Sequence, residues 1–135
     1  MLTDKEMIGL QAERHDLIST QSFPSIEEYV LHRIHIAGYL QASHLAKDKC
    51  VLDVGCNTGY GTALLSESAH TVIGVDVSEK AIANARKWFG RPGIKFQAID
   101  GQRLPFPDNT FDFVVSMQVI EHLVDYDRFL SEIQR

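Results

Sequence analysis

The sequence predicts an α/β protein, a three-layer sandwich in which helices cover both faces of a mostly parallel sheet. Three observations lead there. After residue 49, short runs rich in Val, Ile and Phe alternate with helical segments, an order that right-handed crossovers turn into a parallel sheet. The runs are nearly continuously apolar, as expected of strands buried on both faces. The first run also leads into Gly55-Cys56-Asn57-Thr58-Gly59-Tyr60-Gly61, a glycine-rich turn that opens a helix.

Residues 1–23 are mixed and weakly periodic, and read as an arm whose role depends on what it packs against. Pro24-Ser25-Ile26-Glu27-Glu28 is a helix start, with Ser25 as N-cap and Glu28 three residues on, able to close a capping box. The helix should run to about Leu45. Its apolar positions Ile26, Val30, Ile34, Ala37 and Leu40 recur at helical spacing, so they are expected to cover the sheet while the histidines lie mostly elsewhere. Strands are expected over 50–54, 71–77, 94–99 and 111–116. Helices are expected over 60–68 and 79–89, the latter with Ser78 as N-cap, Ile82, Ala85 and Phe89 as inner stripe, and Gly90 as stop. Trp88 is expected in the core. Residues 1–46 thus form an arm and a covering helix, and 47–135 a ligand-binding domain, in one compact unit.

Bulk properties narrow the function. With 135 residues, 44% of them hydrophobic, the chain suffices for one domain with a buried core. A formal charge of -5 offers no electrostatic attraction to nucleic acid or an anionic membrane. No apolar run approaches the roughly 20 residues that span a bilayer, and no secretory signal opens the chain. Cys50 and Cys56 fit neither a disulfide framework nor a zinc site. These features predict a soluble, cytoplasmic protein with reduced thiols.

The glycine-rich turn carries the chemistry. Three glycines let the backbone turn sharply and approach a ligand closely, and the following helix presents unpaired N–H groups at the same place. Spacing decides between ligands. A dinucleotide fingerprint starting at Gly55 needs glycines where Asn57 and Tyr60 stand, and a nucleotide-phosphate loop needs a lysine that is absent. Asp76 closes the second strand 23 residues beyond Asp53, a distance at which a carboxylate can accept the hydroxyls of a ribose held over the first turn.

The turn resembles motif I of class I methyltransferases: an acidic residue, Asp53, followed by Gly55 and Gly59, with Asn57 where a further glycine is usual. Asn tolerates positive φ better than most residues. The resemblance extends over roughly 49–135. It includes Asp76 with Val77, then Asp100-Gly101, whose family counterparts recognise the adenine edge. Leu104-Pro105-Phe106-Pro107-Asp108-Asn109-Thr110-Phe111-Asp112 and Val119-Ile120-Glu121-His122-Leu123 are similar to the loop and post-strand helix of the type 11 subgroup. The resemblance implies a Rossmann-like fold, here incomplete, with about four strands in the order 3-2-1-4. It also implies S-adenosylmethionine as cofactor, S-adenosylhomocysteine as product, and a cofactor site formed by Asp53, Gly55, Cys56, Asn57, Gly59, Tyr60, Asp76, Val77, Asp100, Gly101 and Met117.

The implied reaction is in-line transfer of a methyl group from a sulfonium, so positioning donor and acceptor is the chief task. A hydroxyl acceptor benefits from a base, and His122 is the only histidine inside a core motif. Tyr60 is placed to cover the ligand. Gln118 to His122 is similar to a motif of metal-dependent relatives, yet Gln118 stands where a glutamate would bind, and His15, His32, His35 and His44 do not share one helix face; no metal is expected. The N-terminal segment with Glu13, Arg14, His15, Tyr29, His32 and Arg33 resembles that of bacterial methyltransferases acting on glycans or their nucleotide-linked precursors. This implies a small-molecule or sugar acceptor, and Arg14 or Arg33 beside the methionine carboxylate.

The full family sheet has further strands after the fourth, but only 19 residues follow Ser116. A short turn and a helix over about 126–135, with Phe129, Leu130 and Ile133 inward, account for them. The reading is therefore of a C-terminally truncated methyltransferase, active or retained as a noncatalytic cofactor-binding scaffold. Its fourth strand should form an apolar edge inviting homo-oligomerisation.

Overall fold

The computed structural model describes residues 25–135. Its elements are α1 (Ile26–Leu45), β1 (Cys50–Val54), α2 (Tyr60–Leu65), β2 (Thr71–Asp76), α3 (Glu79–Phe89), β3 (Ile94–Ala98), β4 (Phe113–Val115), a 3-10 turn (Ile120–His122) and α4 (Tyr126–Gln134). Ser25 caps α1 by accepting from the Glu28 backbone N–H at 3.2 Å, and Ser78 caps α3 through the Ala81 N–H at 3.2 Å. Arm residues Glu13, Arg14 and His15 lie outside the described residues.

The sheet is parallel with order β3-β2-β1-β4, as expected. On one face Val51, Val72 and Val115 pack with Tyr39, Ala42, Ala46 and Leu65 under α1 and α2, while Ile94 and Phe96 pack with Cys56, Ile82 and Ala85 under α3. On the other face Leu52, Val54 and Val75 meet Leu104, Phe106, Phe111 and Phe129, from the β3–β4 connection and α4. Helices therefore lie on both faces, making the three layers. Fully buried side chains such as Leu52, Leu65 and Ile82 each stabilise this arrangement by roughly 1.5–3 kcal/mol.

One carbonyl on the outer edge of β3 is capped by a side chain. Gly93 and Asp76 carbonyls accept from Val72 and Ile99, so odd-numbered residues of β3 face β2 and the Phe96 carbonyl points outward. Arg86 of α3 donates to that carbonyl from Nε at 3.0 Å and Nη2 at 2.8 Å.

Several expectations are corrected. The inward face of α1 is His32, His35, Tyr39, Ala42 and Ala46, whereas Ile26, Val30, Ile34, Ala37 and Leu40 are exposed. The reason is polar. Asp53 of β1 is completely buried and needs donors, and Tyr39 supplies one through its hydroxyl at 3.0 Å; Thr62 of α2 supplies the other at 2.6 Å. The Tyr39 ring also fills the space a Gly61 side chain would occupy. This demand rotates the helix away from its most aliphatic stripe. Trp88 is 67% exposed because it falls beside, not on, the Ile82–Ala85 stripe, and Phe89 is half-buried. Leu130 is likewise exposed, leaving Phe129 and Ile133 as the inner side of α4. β3 is buried on one face only, with Lys95 and Gln97 exposed. β2 and β3 each stop one residue early, α2 stops at Leu65 and β4 keeps only Phe113–Val115, while the short turn expected before the last helix is a 3-10 turn over Ile120–His122.

Two predictions follow from the Asp53 tie. Gly61→Ala places a methyl group against the Tyr39 ring and should cost roughly 1–3 kcal/mol in urea unfolding. Burial raises the Asp53 pKa to about 7 against the opposing hydrogen bonds from Thr62 and Tyr39, with the Asp76 charge adding to the rise. The folded state thus holds a proton that the unfolded chain, near the usual 3.8, has lost, so this group's contribution to stability falls as pH rises from about 4 to about 7. Asp53→Asn should flatten that part of the pH dependence relative to the parent chain; identical stability–pH curves would contradict it.

Candidate cofactor-binding site

In an open α/β sheet a ligand binds outside the carboxyl ends of the strands, where the strand order reverses. Here the reversal lies between β1 and β4. The loops leaving β1, β2, β3 and β4 carry, in turn, Gly55, Cys56, Asn57 and Gly59, then Val77, then Asp100-Gly101, then Met117, all of them among the residues the sequence singles out.

The β1–α2 loop is held by its own backbone and by Asp76. Gly55 and Cys56 both donate to the Val75 carbonyl, at 2.8 and 3.0 Å, tying the turn to the end of β2. Asp76 accepts from the Asn57 N–H at 2.9 Å through one oxygen and from the Ser78 N–H at 2.9 Å through the other. Burial raises its pKa, opposed by these N–H bonds and that of Val77. One carboxylate thus sets the loop and the start of α3 in register.

Gly55, Asn57 and Gly59 all adopt positive φ, at 80°, 46° and 88°. Asn57 does the conformational work of the expected third glycine, and its Oδ1 is buried with no partner among the described residues. The missing Cβ atoms face protein: one at Gly55 would strike Val119, and one at Gly59 would lie 2.8 Å from Ala85 and the Phe96 ring. These glycines serve tight packing of the loop as well as the sharp turn expected of them.

The remaining candidates occupy different depths. Asp53 has no exposed surface and lies beneath the loop as an anchor. Cys56 turns its thiol into the α3 core, where burial pushes its pKa up, so only its backbone borders the loop. Tyr60 is half-buried with its hydroxyl 2.8 Å from His35 Nδ1, its ring edge-on to His32 and Tyr39. Asp100 accepts from the Gln102 N–H at 2.8 Å, and Gly101 adopts φ 75° beside Val77. Met117 packs beneath Gly38 of α1, its sulfur 3.3 Å from where a Cβ would stand. Gln118 follows with φ 54°, a strained conformation at the end of β4. His122 is half-buried in the turn whose Val119 closes on Gly55. Arg33 is exposed on α1 and Arg14 lies outside the described residues.

Thr62, Tyr39, His35 and Val119 contribute to the site without having been foreseen. Thr62 alone carried a visible signal, a hydroxyl one helical step inside an otherwise apolar hexad. Among the described residues no group of three or more His, Cys, Asp or Glu side chains is arranged to hold a metal ion. No helix among them is long and apolar enough to cross a membrane.

The donor and acceptor set fits an adenosyl ligand. Asp76 offers a carboxylate beside a cradle of N–H groups, Asn57 Oδ1 is an unspent acceptor at the loop, and Asp100-Gly101 supplies a polar turn at the neighbouring strand end.

Comparison with known proteins agrees. Residues 52–135 match the family described as a methyltransferase domain. A probable S-adenosylmethionine-dependent methyltransferase of Mycolicibacterium smegmatis is 37% identical over 117 residues, covering 86% of this chain and 45% of its own length. A Mycobacterium tuberculosis protein named phthiotriol/phenolphthiotriol dimycocerosates methyltransferase is 33% identical over 89 residues, covering 64% of this chain and 33% of its own. The chain therefore spans less than half the length of these relatives. In fold, it is similar to the putative methyltransferase solved in complex with the Trm112 activator of Haloferax volcanii, with TM-score 0.75, 23% identity, and 98% of this chain and 55% of that one covered. The strand order, the loop geometry and a family match over most of the sequence together place the chain in the class I S-adenosylmethionine-dependent methyltransferase family.

Proposed function

We propose that these residues form the cofactor-binding part of an enzyme that transfers the S-adenosylmethionine methyl group to a small-molecule or sugar acceptor. The observation that carries the reading is the Asp76 carboxylate, fixed by Asn57 and Ser78 at the rim of the β1–α2 loop. Asp76 retains lone pairs for two ribose hydroxyls, the Asn57 side chain accepts a donor from the methionine end, and Asp100-Gly101 borders the adenine.

When bound, the cofactor supplies an electrophilic methyl group on a sulfonium. The chain's own contribution is orientation: α1 and Met117 wall the loop on the β4 side, and the Val119 turn closes on Gly55. His122, on that turn, is the residue for accepting a proton from a hydroxyl acceptor. The relative named for phthiotriol and phenolphthiotriol dimycocerosates supports an acceptor that is not a nucleic acid, as does the chain's acidic balance.

Titration calorimetry with S-adenosylmethionine, S-adenosylhomocysteine and NAD tests the binding claim. Both adenosyl ligands should bind and NAD should not. Asp76→Ala should weaken both at least tenfold, about 1.4 kcal/mol; unchanged binding would overturn the assignment. With a labelled methyl donor and a panel of hydroxylated acceptors, His122→Ala should slow transfer by about 100-fold or more while leaving S-adenosylhomocysteine affinity intact.

A further inference from the structure

The net charge of -5 conceals a local reversal. Five of the chain's 13 Lys and Arg residues fall within residues 80–95, where none of its 18 Asp and Glu residues occurs. All five, Lys80, Arg86, Lys87, Arg91 and Lys95, are exposed, on α3, on β3 and on the loop between them. Lys80 and Lys87 lie two turns apart on the outward stripe of α3, opposite the buried Ile82 and Ala85. Arg86 is held by the Phe96 carbonyl, and Arg91 donates to Ser66 Oγ at 2.8 Å. Glu67, which follows Ser66, borders the group on the α2 side.

A tryptophan stands among these cations. Trp88, the only Trp in the chain, is 67% exposed, with the Lys87 ammonium 5.8 Å from its ring centre. It leads into an exposed loop tip containing Arg91 and Pro92. Beyond Gly90 a groove of about 370 Å³ continues along the strand, lined in part by Arg86, Lys95, Gln97 and Ile73. Because α3 runs back from the end of β2 to the start of β3, this tip lies at the end of the sheet opposite the cofactor loop. Acids elsewhere on the chain are screened over about 8 Å at physiological ionic strength, so the β3 margin acts on a nearby surface by its own charge.

We propose that this margin, from Lys87 and Trp88 to Lys95, docks on the anionic headgroups of a lipid surface, with Trp88 entering the headgroup layer. Single-stranded nucleic acid is held by successive aromatic rings along a charged groove. Here one exposed indole stands at a loop tip, outside the groove and flanked by cations, the combination that settles at a membrane–water interface. Docked in this way, the chain keeps its cofactor loop on the water side.

Because Trp88 is the only tryptophan, its fluorescence reports the contact directly. On vesicles of phosphatidylcholine with about 30% phosphatidylglycerol the 135-residue chain should co-sediment, its emission should shift to the blue, and about 0.5 M salt should release it. Vesicles of phosphatidylcholine alone should do neither. Lys87→Gln and Arg91→Gln should each weaken partitioning about fivefold, and Trp88→Ala about tenfold or more. S-adenosylhomocysteine affinity should stay unchanged in all three, since none of these residues borders the cofactor loop. Equal partitioning onto both vesicles, no partitioning onto either, or indifference to the charge substitutions would overturn the proposal. Partitioning with unshifted Trp88 emission would put the contact elsewhere and overturn it too, as would tighter binding to a single-stranded oligonucleotide at matched phosphate concentration.

Discussion

Asp53 is sealed from solvent at the end of β1, and because a buried carboxylate must be given donors, two helices are drawn to it. Tyr39 reaches it from α1 and Thr62 from α2, and each bond fixes more than its own residue. Thr62 is locked one turn after the glycine loop, so the loop's exit angle is set. Tyr39 is locked above Gly61, so α1 lies over the loop and brings His35 to Tyr60 and Gly38 to Met117. The second carboxylate, Asp76, works from the other side of the loop on backbone N–H groups. Two buried acids with unlike partners, side-chain hydroxyls for one and backbone N–H groups for the other, thus hold a single turn.

Much of this was legible in the chain because it was local. The strand alternation, the caps at Ser25 and Ser78, the glycine spacing and the positive φ of Asn57 are each decided by neighbours a few residues away. The strand order came with the family resemblance. What could not be read was set by partners distant in sequence. Nothing near Tyr39 announces Asp53, 14 residues on, yet that bond chose which face of α1 turns inward. Helical periodicity identified an apolar stripe correctly and assigned it to the wrong neighbour, since a helix apolar on opposite sides gives no rule for choosing between them.

The glycines show the same division. Their positions revealed a sharp turn, but their purpose depends on Val119, Ala85 and Phe96, which arrive from a post-strand turn, a helix and an edge strand. The loop is therefore pressed into shape by core side chains on one side and by the Asp76 carboxylate, which accepts from the Asn57 N–H, on the other. Pre-organisation of this sort lowers the entropic cost of binding, because little of the loop remains to be ordered.

Arg86, reaching across the outer edge of β3 to the Phe96 carbonyl, gives the sheet a direction. An incoming strand on that side would have to displace a guanidinium fork from its acceptor and leave a cation facing its backbone, while the opposite margin carries no such plug among the described residues. Of the two margins of the sheet, the β3 side is thus made the less receptive to an added strand, and the β4 side is the one next to the turn that closes on the cofactor loop.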